Sequence, residues 1–262
     1  MKKYPESFSE KRKLKVCWIS AGISSFMAGY LAGDVDEWIY IDIEDQHEDS
    51  IRFIKDCEKA IGKPIQIIKS EEYSTTEECF CAFGGFKNAR SNFAPCTNWL
   101  KKRVRKAWEA EHRDYELTYV WGYDAQERER ADRLIEANPQ ADHEFPLIEK
   151  ELSKKAVHGL FDELFSFPRP IMYDLGYPNN NCIGCVKGGM GYWNKIRKDF
   201  PEVFSRRSKL ERKLGKSMLK EKDGTPLFLD ELDPKRGDIN TEIMPECDIM
   251  CMLVTFSTKQ LA

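Results

Sequence analysis

Histidine is scarce in this chain. The four present, His47, His112, His143 and His158, have no partner spacing that argues for catalysis, and they read as surface or packing residues. Long apolar runs are missing as well: no window approaches the roughly 18 apolar residues needed to cross a bilayer. Met1-Lys-Lys-Tyr-Pro-Glu-Ser7 lacks the apolar core of a signal region. The expectation is a cytoplasmic protein with no membrane partner. There is little charge excess, with 41 basic against 44 acidic residues for a net charge of -3, so the molecule as a whole has no field drawing it to nucleic acid. Only a local basic patch could serve that purpose. No internal repeat or low-complexity segment occurs, which argues against a solenoid or array.

What the chain does have is a good supply of core residues, 41% hydrophobic and 12% aromatic over 262 positions, and nine cysteines. In a reducing compartment such cysteines serve as metal ligands, redox thiols or core residues rather than structural disulfides. Cys17, within Val16-Cys17-Trp18-Ile19, and Cys57, on a helical pattern, read as small buried hydrophobes. Cys79 and Cys81 flank Phe80 and would share one face of a strand, with packing as their simplest role. The others stand apart: Cys96 in Ala94-Pro95-Cys96-Thr97, the pair Cys182-Ile-Gly-Cys185, and the pair Cys247-x3-Cys251. Pro178, three asparagines and nearby glycines around Cys182 disfavour helix and favour a tight loop that can aim two thiolates at one point. Thiolates in this number suit zinc or an iron–sulfur cluster, and spacing does not choose between them.

Hydrophobic patterning predicts a strand over Leu14 to Ser20, a small-residue turn from Ser20 to Ser25, and a helix from Phe26 to Leu31. A strand over Glu37 to Ile43, a helix over Ser50 to Ile61 and a strand over Pro64 to Ile68 follow. This order implies an α/β fold, a Rossmann-like parallel sheet flanked by helices, with the Ser20 to Ser25 loop and Asp42 at its ligand-binding rim. Further on, Asn98 to Glu111 reads as a basic helix, Leu117 to Trp121 as a strand and Asp124 to Ala137 as a charged helix; another helix starts near Ser153. Met190 to Leu214 reads as two helices broken at Pro201, with Trp193, Ile196, Phe200, Val203 and Phe204 as a core stripe. Lys220 to Asn240 is polar and turn-rich. The domain reading is a nucleotide-binding α/β domain over 12–200, including the C-x2-C loop, and a cysteine-bearing C-terminal extension over 201–262 packing back on the core.

A Ser/Gly loop entering a helix offers amides and hydroxyls to a phosphate. The same small residues also serve any tight strand-to-helix turn. The charged helix containing Glu127, Arg128, Arg130 and Arg133 is by default a solvated face with ion pairs worth about 0.3–0.5 kcal/mol each.

Here the residues resemble a family. Ser20-x-Gly22-x-x-Ser25 resembles the pyrophosphate loop of ATP pyrophosphatases and phosphoadenosine phosphosulfate (PAPS) reductases. Pro95-Cys-Thr97 with Leu100-Lys101, the stretch Gly122 to Arg130, and Leu175-Gly-Tyr through Cys185 are similar, in order, to later segments of the reductase-like members. The match is closest to the short PAPS-reductase-like proteins of phages and mobile elements, in Asn-Asn-Asn-Cys-Ile-Gly-Cys-Val-Lys-Gly-Gly, Tyr-Trp-Asn-Lys and Phe-Pro-Glu-Val-Phe, and it spans roughly Lys15 to Cys251. Three departures stand out. Ser24 replaces the loop's usual aspartate, Tyr123 replaces a usual arginine, and the C-terminal Glu-Cys-Gly-(Leu/Ile)-His motif is echoed only by Glu246-Cys247. The first bears on Mg-ATP handling and the second on PAPS as substrate.

The resemblance implies an adenine nucleotide alpha-hydrolase type fold binding ATP or PAPS over Ser20, Gly22, Ser24 and Ser25. Asp42 would lie near ribose or adenine, and Arg130, Lys101 and Lys187 would be anion ligands. It further implies a [4Fe-4S] cluster on Cys96, Cys182 and Cys185 with Cys247 or Cys251 as a fourth ligand, zinc being the alternative. Cys247 or Cys251 would be the mobile catalytic thiol. The implied activity is oxidoreductase or sulfurtransferase chemistry, with an electron or sulfur donor protein as partner and a homo-oligomer compatible with it. One alternative is an ATP-dependent sulfurtransferase acting on DNA or tRNA through Lys101-Lys-Arg-Val-Arg-Lys106. Another is a nucleotide-binding module without turnover.

Overall fold

Alternation along the first strand sets the architecture. In β1 (Arg12–Ile19), Leu14, Val16 and Trp18 are buried in one apolar cluster while Cys17 and Ile19 are buried in another. A strand buried on both faces needs a layer on each side, as in parallel sheets. The computed structural model, which describes residues 11–87, 94–242, 244 and 247, shows that arrangement. β1 pairs in parallel with β2 (Glu37–Ile41) and β4 (Tyr115–Val120), β2 with β3 (Ile65–Ile68), and β4 with β5 (Asp142–Glu144). The five-stranded sheet has the Rossmann-like order β3-β2-β1-β4-β5.

Helices cover both faces. α1 (Ile23–Ala32) and α2 (Asp49–Ile61) follow β1 and β2, and α3 (Thr76–Phe83) follows β3. The short α4 (Pro95–Thr97) runs through a π-helical turn, Asn98–Lys102, into α5 (Arg103–Glu111). α6 (Arg128–Ala137) follows β4, and the turn α7 (Pro146–Glu149), α8 (Lys154–Leu164) and the turn α9 (Ile171–Asp174) follow β5. Phe26, Met27, Phe53, Ile54, Val157 and Phe161 join α1, α2 and α8 on one face. Leu100, Trp108, Ala131 and Leu134 bring α5 and α6 to the other, where Trp108 meets Trp18 edge-on at 5.5 Å.

The chain then forms α10 (Met190–Asp199) and α11 (Pro201–Leu214), with the break at Pro201 as the sequence predicts, and a ribbon of β6 (Leu219–Lys220) and β7 (Pro226–Leu227). Trp193, Ile196, Val203, Leu210, Leu219 and Leu227 pack with Phe80 and Phe86 in a third cluster. Arg207, fully buried in α11, ties this layer to the sheet: it donates to Asp45 at 2.7 Å, to the Thr76 hydroxyl and to Glu77 at 3.5 Å.

Two details differ from the sequence reading. Residues 76–83 form a helix because Thr75 and Glu78 make a capping box at its start, so Cys79 is buried and Cys81 exposed rather than sharing a strand face. The three-residue β5 is too short, and too polar in Asp142-His-Glu144, to give a strand signal. Cys17 and Cys57 are fully buried, as expected of small hydrophobes.

Candidate functional site

β1 leads on to β2 and β3 on one side of the sheet, whereas β4 leads to β5 on the other. The crevice beyond the carboxyl ends of β1 and β4 is therefore where chain order reverses, the usual ligand position in open α/β sheets. A cleft opens there, narrow in its interior and continuous with solvent at its mouth. Ser20 and Ser25 line it from the loop, Trp18 and Ile41 from strand ends, Trp121 and Tyr123 from the segment after β4, and Lys101 and Cys247 from beyond the sheet.

The loop is held mainly by its own serines. Ser25 Oγ accepts from the Ser20 amide at 3.0 Å and donates to the Gly22 carbonyl at 3.0 Å, so in its 3.0 Å contact with Ser20 Oγ the Ser20 hydroxyl is the donor. Ala21 takes a left-handed φ of 56°, an unusual conformation for a residue with a side chain. The helix following the loop begins at Ile23, whose amide reaches the Tyr173 hydroxyl at 3.4 Å; Gly22 precedes it without a capping side chain. Ser24 is buried in the first helical turn, and as a neutral side chain it does not oppose an anion there.

Four of the cysteines singled out by the sequence act on one another. Burial pushes the Cys96 thiol well above its ordinary range; Cys247 and Cys185 push it further, and Lys187 pulls it back. Burial likewise raises the Cys182 thiol, with Asp45, Cys247 and Cys185 adding to the rise and Lys101 opposing it. Lys187 and Lys101 thus bring positive charge to the thiols, and Lys101 also donates to the Cys247 carbonyl at 2.5 Å. Cys251 lies outside the described residues. The donor set is soft and suited to iron–sulfur or zinc chemistry. Among the described residues, however, no group of three or more His, Cys, Asp or Glu side chains has the geometry to hold a metal ion. The thiols fit a soft metal group in chemistry.

The Asn179-Asn180-Asn181 run, which reads in the sequence only as a turn, is buried throughout. Asn179 Nδ2 donates to the Met244 carbonyl at 2.6 Å, Asn180 Nδ2 to the Ala21 carbonyl at 2.8 Å and to Ser50 Oγ at 3.1 Å, and Asn181 Oδ1 accepts from the Cys247 amide at 3.0 Å. The available signal was that amide side chains both donate and accept, so three in a row can join several backbones. Tyr192 was missed too. Its hydroxyl accepts from the Gly184 and Cys185 amides, each at 2.9 Å, and donates to the Cys182 carbonyl at 3.3 Å, fixing the C-x2-C turn. Glu242 in turn caps α10, accepting from the Gly191 amide at 2.5 Å and the Tyr192 amide at 3.0 Å.

The remaining candidates surround this centre. Arg130 pairs with Glu127 at 2.5 Å and stacks 4.3 Å above the ring of Tyr123, a cleft residue. Asp42 follows β2, its amide donating to the Ile68 carbonyl at 2.8 Å, and it is absent from the cleft lining. Within the basic run, Lys101 and Arg105 are buried, and Arg103 lies over Trp99 and pairs with Glu72 at 2.9 Å.

Together these features define an α/β protein with a Rossmann-like five-stranded parallel sheet and a cleft at its switch point. Comparison with protein-family models, curated proteins and solved structures finds no match. No helix among the described residues is long and apolar enough to cross a membrane.

Proposed function

We propose that this protein is an adenine-nucleotide-binding enzyme of PAPS-reductase-like sulfur chemistry, using ATP or PAPS. The observation that carries this reading is that one cleft is lined by both the Ser20/Ser25 loop and Cys247. Phosphate oxygens would meet the loop hydroxyls and the positive end of α1. The Lys101 ammonium, buried at the cleft, would stabilise charge developing on the phosphate or sulfate. Trp18, Ile41 and Trp121 offer apolar surface to a base. In this arrangement the Cys247 thiolate attacks the activated atom of an adenylated or sulfated substrate, and the electron pair of the broken bond leaves on the nucleotide phosphate. A donor protein or thiol would restore the thiol after turnover.

Cys96, Cys182 and Cys185 would hold an iron–sulfur cluster, which supplies electron transfer or sulfide, and Cys247 is left as the attacking thiol. The resemblance to cluster-bearing PAPS-reductase-like proteins supports a cluster over one zinc, since soft thiolates by themselves suit either. The burial of Lys101 and Arg105 favours a small-molecule substrate over a nucleic acid, since neither side chain is presented to a duplex.

Two measurements test the reading. Calorimetric titration with ATP, AMP and PAPS should show binding that the Ser20→Ala/Ser25→Ala double variant weakens; no binding of any of the three at millimolar concentration overturns it. Anaerobic purification should yield about four irons and four acid-labile sulfides per chain. One zinc and no sulfide would make the thiols structural and leave only the nucleotide half of the reading.

A further inference from the structure

We infer that Asn180 and Asn181 are positioning residues that transmit occupancy of the Ser20 to Ser25 loop to the backbone of Cys247. This inference rests on the proposed nucleotide binding and adds a route by which that binding reaches the thiol.

The two side chains are consecutive, buried and engaged in opposite directions. Asn180 holds the loop from behind, its amide nitrogen shared between the Ala21 carbonyl at 2.8 Å and Ser50 Oγ, at the start of α2, at 3.1 Å. Ala21 is the loop residue with left-handed φ, a conformation that for a residue with a β-carbon persists where surrounding contacts enforce it. The Asn180 donor is such a contact. An anion drawn to the loop amides pulls on the same peptide units, so the Ala21 carbonyl and its partner respond together.

Asn181 continues the connection. Its Oδ1 accepts from the Cys247 amide at 3.0 Å, and Lys101 holds the Cys247 carbonyl at 2.5 Å, so Cys247 is gripped through both its amide and its carbonyl. The next residue is Cys182, whose thiol feels the charge of Cys247. Three successive residues therefore touch the loop, the Cys247 backbone and the thiol group. Few internal adjustments are open to such a segment: the Ile183 amide is fixed to the Asp45 carbonyl at 2.8 Å, and the following turn is held by Tyr192. A displacement at Asn180 has Asn181 and Cys247 as its nearest outlet.

Hydrogen–deuterium exchange of the full protein, purified with whatever metal it carries, tests this with ATP, AMP and PAPS as probes. In the wild type, nucleotide should slow exchange both in the peptide covering Ser20 to Ser25 and in the peptide covering Met244 and Cys247. The second effect should be about fivefold, the scale of one hydrogen bond tightened. Asn181→Ala should keep the loop protection and lose the Cys247 response. Asn181→Asp retains the acceptor oxygen and should keep both, whereas Asn180→Asp loses the donor and should uncouple the two peptides. The Asp variants also guard against an alanine variant that does not fold.

Loop protection without any Cys247 response in the wild type overturns the inference and leaves nucleotide binding standing. An unchanged response in Asn181→Ala or Asn180→Asp overturns it equally. Absence of protection in both peptides, with all three nucleotides, removes the nucleotide reading itself and the inference with it.

Discussion

Gly122 lies against the backbone of Ser25: a β-carbon at position 122 would come within 2.6 Å of both the Ser25 amide nitrogen and its α-carbon. The segment leaving β4 thus closes directly on the first turn of α1, and the floor of the cleft is backbone against backbone. Gly122→Ala must push the loop and β4 apart. The expected loss is roughly 1–3 kcal/mol, as for other overpacked sites, with weaker nucleotide binding. Gly159, inside α8, is the control, because a methyl group there would meet nothing within 4 Å. Gly159→Ala should stabilise by about 0.5–1 kcal/mol. Thermal melts of the two variants check both signs.

Removing the Tyr192 hydroxyl leaves the Gly184 and Cys185 amides without their acceptor in a buried turn. Tyr192→Phe should destabilise the protein by about 1–3 kcal/mol. It should also lower the iron or zinc content per chain while leaving nucleotide binding at the Ser20 loop intact. Metal analysis alongside calorimetry separates the two effects.

Arg207 and Asp45 form an ion pair with both side chains almost wholly out of solvent. Arg207→Met leaves the buried Asp45 carboxylate to the Thr76 amide at 2.6 Å and to the half-exposed Arg206, 4.0 Å away. A loss of about 3–5 kcal/mol is expected, and adding Asp45→Asn should recover a portion of it. Urea unfolding of the single and double variants measures the difference.

Glu211 gives the protein a pH dependence of definite sign. Burial pushes its carboxyl from the ordinary 4.5 up to about 7, Asp230 adds to the rise, and the Leu229 and Met218 amides and Arg212 act against it. A carboxyl with a raised folded pKa binds protons in the native state that the unfolded chain has released. Its contribution is fully present below about 4.5 and is lost as pH rises through about 7. Glu211→Gln should flatten the fall in melting temperature across that window, although the amide forfeits one of the two backbone hydrogen bonds the carboxylate accepts at 2.6 Å.

The parallel sheet was legible because β1 and β2 carry continuous apolar runs and the Ser20 to Ser25 turn separates strand from helix. The cysteine motifs stand out in the sequence, and burial with neighbouring thiols raises the Cys96 and Cys182 thiols. What connects them was not. Asn180 meets Ala21 across 159 positions, and no local pattern encodes a contact at that distance. Tyr192 looks like one more core aromatic, since only its hydroxyl distinguishes its role. Lys101 and Arg105 sit in a run that reads as a basic surface, yet both turn inward because their face of the helix is the one packed against the sheet.

The Lys101 contact to Cys247 spans 146 positions, and the cap that steadies Tyr192 comes from Glu242. Strands β1 to β5 end at Glu144, so all five are synthesised well before these tethers exist. Every newly made molecule thus passes through a stage in which Cys96, Cys182 and Cys185 have been synthesised and their closing segment has not. During that interval these thiols lack the contacts of the Cys247 segment and are most open to oxidants.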